Sequence, residues 1–170
     1  MLKFIKENNK GFTLVEVLVG SSIIAVAIFA LMNAYTTFLK AEASSAKTVE
    51  ATYLLEEGVE AARFMRDSSY ADNLVGSLGT SSVNYLVLVA SSTAPYYVWQ
   101  ATSTARIEDG LFTRTIKLDD VKRDAVSSDI SSTGNYDVGT KKVTVTVSWL
   151  KNGATTSKTA STYLTDIYNN

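Results

Sequence analysis

The sequence contains no cysteine and no histidine. Without cysteine no disulfide braces the fold, so any part lying outside the cytoplasm must rely on its apolar core. Losing both residue types removes the usual zinc ligands and the side chain that titrates most readily near neutral pH. Neither a G-x-x-x-x-G-K-[ST] phosphate loop nor a G-x-S-x-G nucleophile turn occurs, so enzymatic chemistry is not expected. There is no N-x-[ST] glycan acceptor either. Proline is limited to Pro95, which leaves everything before it free of a helix breaker. Charge is short on both signs, with 16 basic and 17 acidic residues in 170. A formal net charge of −1 argues against broad electrostatic capture, so no nucleic acid partner is expected.

What the chain does have is a long oily run. No charged residue occurs from Val17 to Leu39, a stretch of 23 positions. At about 1.5 Å per helical residue this is roughly 34 Å, enough to cross a hydrocarbon core of about 30 Å. One acid, Glu16, stands at its start, and a short leader, Met1–Lys10, lies in front with Lys3, Lys6 and Lys10 against Glu7. That bias keeps the leader cytoplasmic and sends the C-terminal bulk outward. A carboxylate within a spanning helix costs about 2.5 to 3.5 kcal/mol at the centre and less near an end. Two readings of Glu16 follow. Either it sits solvated at headgroup level, or it takes a positive partner once the segment leaves lipid and packs against copies of itself. A cut just before Phe12 would free an amino group one helical turn away, or on a neighbouring chain. Secretory signal peptides are cut after their apolar region, whereas a cut within Lys10-Gly11-Phe12 would precede it and retain the helix. It would also remove the leader and take the formal charge from −1 to −3.

Lys10-Gly11-Phe12-Thr13-Leu14-Val15-Glu16-Val17 closely resembles the class III signal of type IV prepilins and type II secretion pseudopilins. The resemblance covers about the first 35 residues. It implies cleavage between Gly11 and Phe12 by a prepilin peptidase and N-methylation of Phe12. It further implies that Glu16 registers each subunit in a helical filament, built with other pilin subunits by the pilus assembly machinery. The implied path runs from a single-pass protein of the inner membrane, C-terminal domain outside, to a cell-surface filament. One departure is Asn33, which stands where many members have a helix-kinking proline, so a straighter helix is expected. A second, weaker resemblance lies in Leu54–Asp67, which looks like the stretch after the anchor in minor pilins of the pilus-modification type.

Periodicity fills in the rest. Lys40-Ala41-Glu42-Ala43 continues the helix, and Ala51, Leu54, Leu55, Gly58, Val59, Ala62 and Met65 form an apolar stripe opposite Glu50, Glu56, Glu57, Glu60, Arg63 and Asp67. One helix is therefore expected from Phe12 to Asp67. Asn73–Ser82 reads as a Gly- and Ser-punctuated connection, Asn84–Ala90 as a buried strand, and Tyr96–Trp99 as the next strand. Asp109-Gly110 marks a turn before the alternating run Leu111–Leu118. Lys142–Trp149 puts Val143, Val145, Val147 and Trp149 on one face, Asn152-Gly153 is a favoured hairpin turn, and Thr155–Leu164 returns. The expected fold class is α+β: a long N-terminal α-helix, half transmembrane and half amphipathic, packed on a C-terminal antiparallel β-sheet of four or five strands. The expected divisions are residues 1–11 (cytoplasmic leader), 12–39 (transmembrane and filament-core helix), 40–67 (amphipathic half) and 68–170 (extracytoplasmic β-rich domain).

Candidate sites in the outer part each have a bland alternative. Glu56, Glu57 and Glu60 resemble a metal or acid/base cluster, but Glu60 and Arg63 also make an i,i+3 pair on a solvated helix face. Tyr53 and Phe64 point to that same side, toward neighbouring subunits or beneath a covering loop. The irregular segment Asp119–Asp137 carries Asp119, Asp120, Asp124, Asp129 and Asp137 and is the candidate calcium site, though its spacing matches no EF-hand. Tyr96, Tyr97 and Trp99 suit a sugar-binding or adhesive surface, with a strand-core role the favoured reading. Lys117, Lys122 and Arg123 form a small basic group largely cancelled by nearby aspartates. Three functions compete: a prepilin, specifically a minor pilin, of a type IV pilus-like filament; a pseudopilin of a type II secretion system; and a membrane-tethered surface-binding module that does not polymerise.

Overall fold

The computed structural model describes residues 11–92, 95–151 and 153–169. The expected leader, apart from Gly11, lies outside them. Helix α1 runs Leu14–Ser68, 55 residues, close to the expected bounds. It is unbroken at Asn33, whose carbonyl accepts hydrogen bonds from the hydroxyls of Thr36 (3.0 Å) and Thr37 (2.9 Å). The chain divides into two units between Ser45 and Ala46.

In the first unit the apolar side chains of α1 are exposed all round, among them Leu14, Ile23, Phe29 and Leu31. By length and composition this part of the helix is able to cross a membrane.

In the second unit α1 buries Ala51, Leu55, Gly58, Ala61, Ala62 and Met65. This is the expected stripe with Ala61 added, and with Leu54 and Val59 half-buried at its margins. It packs on an antiparallel sheet of six strands: β1 (Val83–Ala90), β2 (Tyr97–Thr102), β3 (Phe112–Arg123), β4 (Ile130–Ser131), β5 (Asn135–Lys151) and β6 (Ala154–Thr165). The order is β2-β1-β3-β5-β6, and β4 pairs with the end of β3. The fold is thus α+β, a long N-terminal helix on a C-terminal antiparallel sheet. Period-two alternation puts Phe112, Ile116 and Leu118 of β3 beside Val143, Val145, Val147 and Trp149 of β5 on the inner face. Each such side chain, fully buried, contributes about 1.5 to 3 kcal/mol against the extended chain. The β5–β6 hairpin closes with Lys151 opposite Ala154 and Gly153 at φ +81°, while Asn152 lies outside the described residues. Asp109 and Gly110 both take positive φ, and the Glu108 carbonyl receives the amides of Leu111 and Phe112.

Four local readings change. The connection after α1 is partly helical: Tyr70–Gly76 forms a π-helical turn, and Tyr70, Leu74 and Leu78, four apart, are buried. Strand β1 is not a buried strand, because only Leu86 is fully covered. Its pairing with β3 spans Val83–Tyr85 alone, so the rest of β1 lies beyond the sheet centre. Tyr96 and Tyr97 are not core; they are 55% and 65% exposed on or beside edge strand β2. Asp119 and Asp120, read as part of an irregular segment, extend β3, which bulges against β5 between Asp120 and Val121.

Candidate functional site

At the N-terminus, Gly11 and Phe12 precede the helix and are exposed. Thr13 is the N-cap and Glu16 the third helical residue, and the two hold each other. Glu16 Oε2 accepts the Thr13 amide at 2.8 Å and the Thr13 hydroxyl at 2.9 Å, while the Glu16 amide donates to Thr13 Oγ1 at 3.3 Å. This is a capping box, in which two otherwise orphaned amides of the first turn are satisfied reciprocally. The pattern T-x-x-E was present in the sequence as Thr13-Leu14-Val15-Glu16. Neither reading of Glu16 drawn from the sequence included it. Among the described residues nothing gives Gly11 a steric reason to be glycine: a methyl there would meet none of them within 4 Å. The same holds for Gly20 inside the apolar helix. Residues 6–32 match the family described as the prokaryotic N-terminal methylation motif. The chain carries the class III signal of type IV pilins and pseudopilins. No curated protein and no solved structure matches the chain. The matched residues include the capped helix start just described and the exposed apolar surface that follows it.

The other candidate residues are scattered across the second unit. Glu60 pairs with Arg63, and Glu57 reaches Arg114, with Nη1 to Oε2 at 2.6 Å. Glu57 and Glu60 are thus tied into ion pairs, while Glu56 is exposed on the helix face. The five aspartates do not converge. Asp119 pairs with Lys117 and Asp120 with Lys141. Asp124 accepts the amides of Val126 and Ser127 within its turn, which holds its carboxyl below the usual range, the Ser127 amide contributing most. Asp137 takes Arg123 Nε at 2.6 Å and the Gly139 amide. Its carboxyl is also lowered, first by the Arg123 hydrogen bond and then by that from Thr140. Among the described residues no three acidic side chains are grouped as a metal would need. Of the basic group, Lys117 and Arg123 are in these pairs, and Lys122 lies over the Tyr136 ring at 4.7 Å.

The sequence reading missed Arg114. Alternation puts it on the inner face of β3 between Phe112 and Ile116, and its side chain is only 2% exposed. Its guanidinium contacts Glu57 Oε2, Glu108 Oε1 (3.2 Å) and the Leu54 carbonyl (3.3 Å), and stacks 5.3 Å from the Trp99 ring centre. Nε has no acceptor among the described residues. Around Trp99, between the end of α1 and β2, lies an open groove of about 600 Å³ that also presents Phe64, Tyr96 and Tyr97. Tyr53 stands exposed elsewhere on α1.

Proposed function

We propose that this chain is a structural subunit of a type IV pilus-like filament, specifically a minor pilin. In this reading a prepilin peptidase cuts between Gly11 and Phe12, Phe12 is N-methylated, and the chain assembles with other pilins through its N-terminal helix. The observation that carries the reading is the juxtaposition of the class III signal with a helix whose apolar residues are exposed on every side. Such a surface is stable in lipid or against like helices, not in water. Gly11 supports the same view, because its identity answers to no contact with the described residues and suits an external active site. Gly20 suits close helix approach, which small residues allow in apolar surroundings.

Once the helices leave the membrane, apolar contact holds them in a bundle, and Glu16 pairs with a neighbour's N-terminal ammonium. Breaking a buried pair of this kind costs about 3 to 5 kcal/mol. A type II secretion pseudopilin would share all these features; the resemblance of Leu54–Asp67 to minor pilins favours the pilus. The role is structural, with no catalysis assigned. The experiment is mass spectrometry of protein recovered from membranes and from sheared fibres. The expected mature chain begins with a methylated Phe12 and occurs in both fractions, and Gly11→Leu keeps the leader. A chain that still begins with Met1 and never enters fibres would make this protein a tethered module instead.

A further inference from the structure

We propose that the groove between the end of α1 and edge strand β2 binds a neutral saccharide. This goes beyond the filament reading and does not depend on it. The groove, about 600 Å³, falls within the range of small-ligand sites, about 300 to 1,000 Å³. Its walls offer two kinds of group. Phe64, Tyr96, Tyr97 and Trp99 supply ring faces that are at least partly open to solvent. Asn73 and Gln100 supply planar amides at its edge.

The amide groups of Asn73 and Gln100 and the hydroxyls of both tyrosines make no hydrogen bond to any described residue. They are exposed and available, as donors and acceptors both, which is what a sugar hydroxyl requires. Stacked rings beside uncharged amide and hydroxyl groups match the two surfaces of a pyranose, its C–H face and its hydroxyl edge.

Charge narrows the class of ligand. A second hollow shares Phe64 and Trp99 with this one and is lined by Glu57, Glu60 and Asp67. None of the described residues lining the groove is a lysine or arginine that could take a phosphate backbone, so stacked nucleotides are a poor fit despite the aromatic rings. The same acids are held by Arg114, Arg63 and Arg66, so little negative charge remains for a cation. A neutral ligand meets neither penalty.

The site is also held in place. The Arg114 guanidinium over Trp99 is itself fixed by Glu57 and Glu108, and the Tyr96 carbonyl accepts the Ser91 amide at 2.8 Å. Such anchoring lowers the ordering cost on binding.

The test uses the full chain in a phosphocholine detergent, which avoids sugar headgroups. The probes are cellotetraose, maltotetraose and chitotetraose, with a hyaluronan tetrasaccharide and an unrelated neutral peptide as controls. Tryptophan fluorescence reports on Trp99, because Trp149 is buried in the core, and saturation-transfer NMR follows the ligand. We expect saturable binding of at least one neutral tetrasaccharide. Tyr97→Ala should weaken it at least tenfold and Asn73→Ala at least threefold, while Tyr53→Ala, away from the groove, leaves it unchanged. Both changed side chains are exposed, so folding is retained. No saturable binding by the three neutral probes would overturn the proposal. Binding only of hyaluronan or the peptide, or binding indifferent to Tyr97→Ala and Asn73→Ala, would overturn it as well.

Discussion

Glu16 folds back onto Thr13, its Oε2 2.8 Å from the backbone nitrogen that opens helix α1. A cut before Phe12 leaves Thr13 as the second residue, still carrying an amide hydrogen, so the box survives processing. The carboxylate is therefore hydrogen-bonded within a single chain, which lowers the cost of carrying it beside an apolar segment. The proposed pairing with a neighbour's ammonium would add to this arrangement or replace it.

Capping and pairing are separable by mutation. Glu16→Gln keeps a side-chain carbonyl for the Thr13 amide but removes the charge. Thr13→Val removes the hydroxyl, a loss of about 1 kcal/mol in helix capping, and leaves the carboxylate. We expect both variants to be inserted and cleaved. Fibre incorporation, read by immunoblot of sheared and membrane fractions, should fall at least tenfold for Glu16→Gln and stay within about threefold for Thr13→Val. Equal losses in the two would mean that the cap, not the pairing, is what assembly requires.

At Gly58 helix α1 lies close against the sheet. A methyl group there would lie 2.7 Å from Val145 Cγ1 and 3.3 Å from Arg114 Cδ. Alanine gains about 1 kcal/mol of helix propensity, but overpacking a rigid core costs about 1 to 3 kcal/mol, and a β-branched valine at the sheet centre has little room to yield. Gly58→Ala should therefore lower stability by about 1 kcal/mol in denaturant titration of the full chain in detergent. Gly58→Leu should cost more. Combining Gly58→Ala with Val145→Ala should cost less than the sum of the two single changes, because each relieves the other.

Why some of this was legible and some not follows from the patterns themselves. Val143, Val145, Val147 and Trp149 alternate with threonine and serine, so one face had to be inside. The Leu86–Val89 run has no alternation, and nothing in it says that β1 leaves the sheet centre after Tyr85. Tyr96 and Tyr97 are β-prone residues whose burial depends on what covers an edge strand, which only tertiary structure decides. Arg114 alternated correctly with Phe112 and Ile116, but a buried guanidinium makes sense only once Glu57 and Glu108 are seen to reach it. The capping box is local and readable from Thr13 and Glu16 alone, although an acid beside an oily segment also invites an intermolecular explanation. Tyr70, Leu74 and Leu78 likewise repeat every fourth residue, a helical signal masked by Gly76 and Gly79.

Tyr70 should make the second unit sensitive to alkali. Its hydroxyl donates to the Val138 carbonyl at 3.0 Å. Burial first, then the charges of Asp137, Asp166 and Asp120, push its ionisation up to about 12. In the unfolded chain a tyrosine ionises near pH 10. The native state keeps its proton through that interval while the unfolded state releases its own, so Tyr70's contribution is whole below about pH 10 and declines as pH rises toward 12. Tyr70→Phe removes this titration and, at neutral pH, costs about 1 kcal/mol for the lost hydrogen bond. The advantage of wild type over Tyr70→Phe, measured by denaturant midpoints, should shrink between pH 9 and pH 11.5. A constant difference would mean that the hydroxyl does not resist ionisation.

Arg114 offers the sharpest contrast between removing a charge and abandoning one. Its side chain is 2% exposed, whereas that of Glu57 is 49% exposed and that of Glu108 26%. Deleting both carboxylates leaves a guanidinium inside with the Leu54 carbonyl and the Trp99 face as its remaining partners. Loss of partners around a buried charge typically costs about 3 to 5 kcal/mol, and the partial exposure of both acids puts the expected value toward the lower figure. Deleting the cation instead leaves two carboxylates that water can reach, and an unbranched apolar side chain of similar length fills the space, at a cost of about 1.5 kcal/mol or less. Arg114 Nε also has no acceptor among the described residues, so its replacement leaves no such donor behind. Glu57→Ala combined with Glu108→Ala should therefore destabilise the fold more than Arg114→Met does, as read from denaturant midpoints of the full chain in detergent. The opposite order would mean that the guanidinium holds helix and sheet together by more than its two ion pairs, with its stacking on Trp99 as the contact to test next.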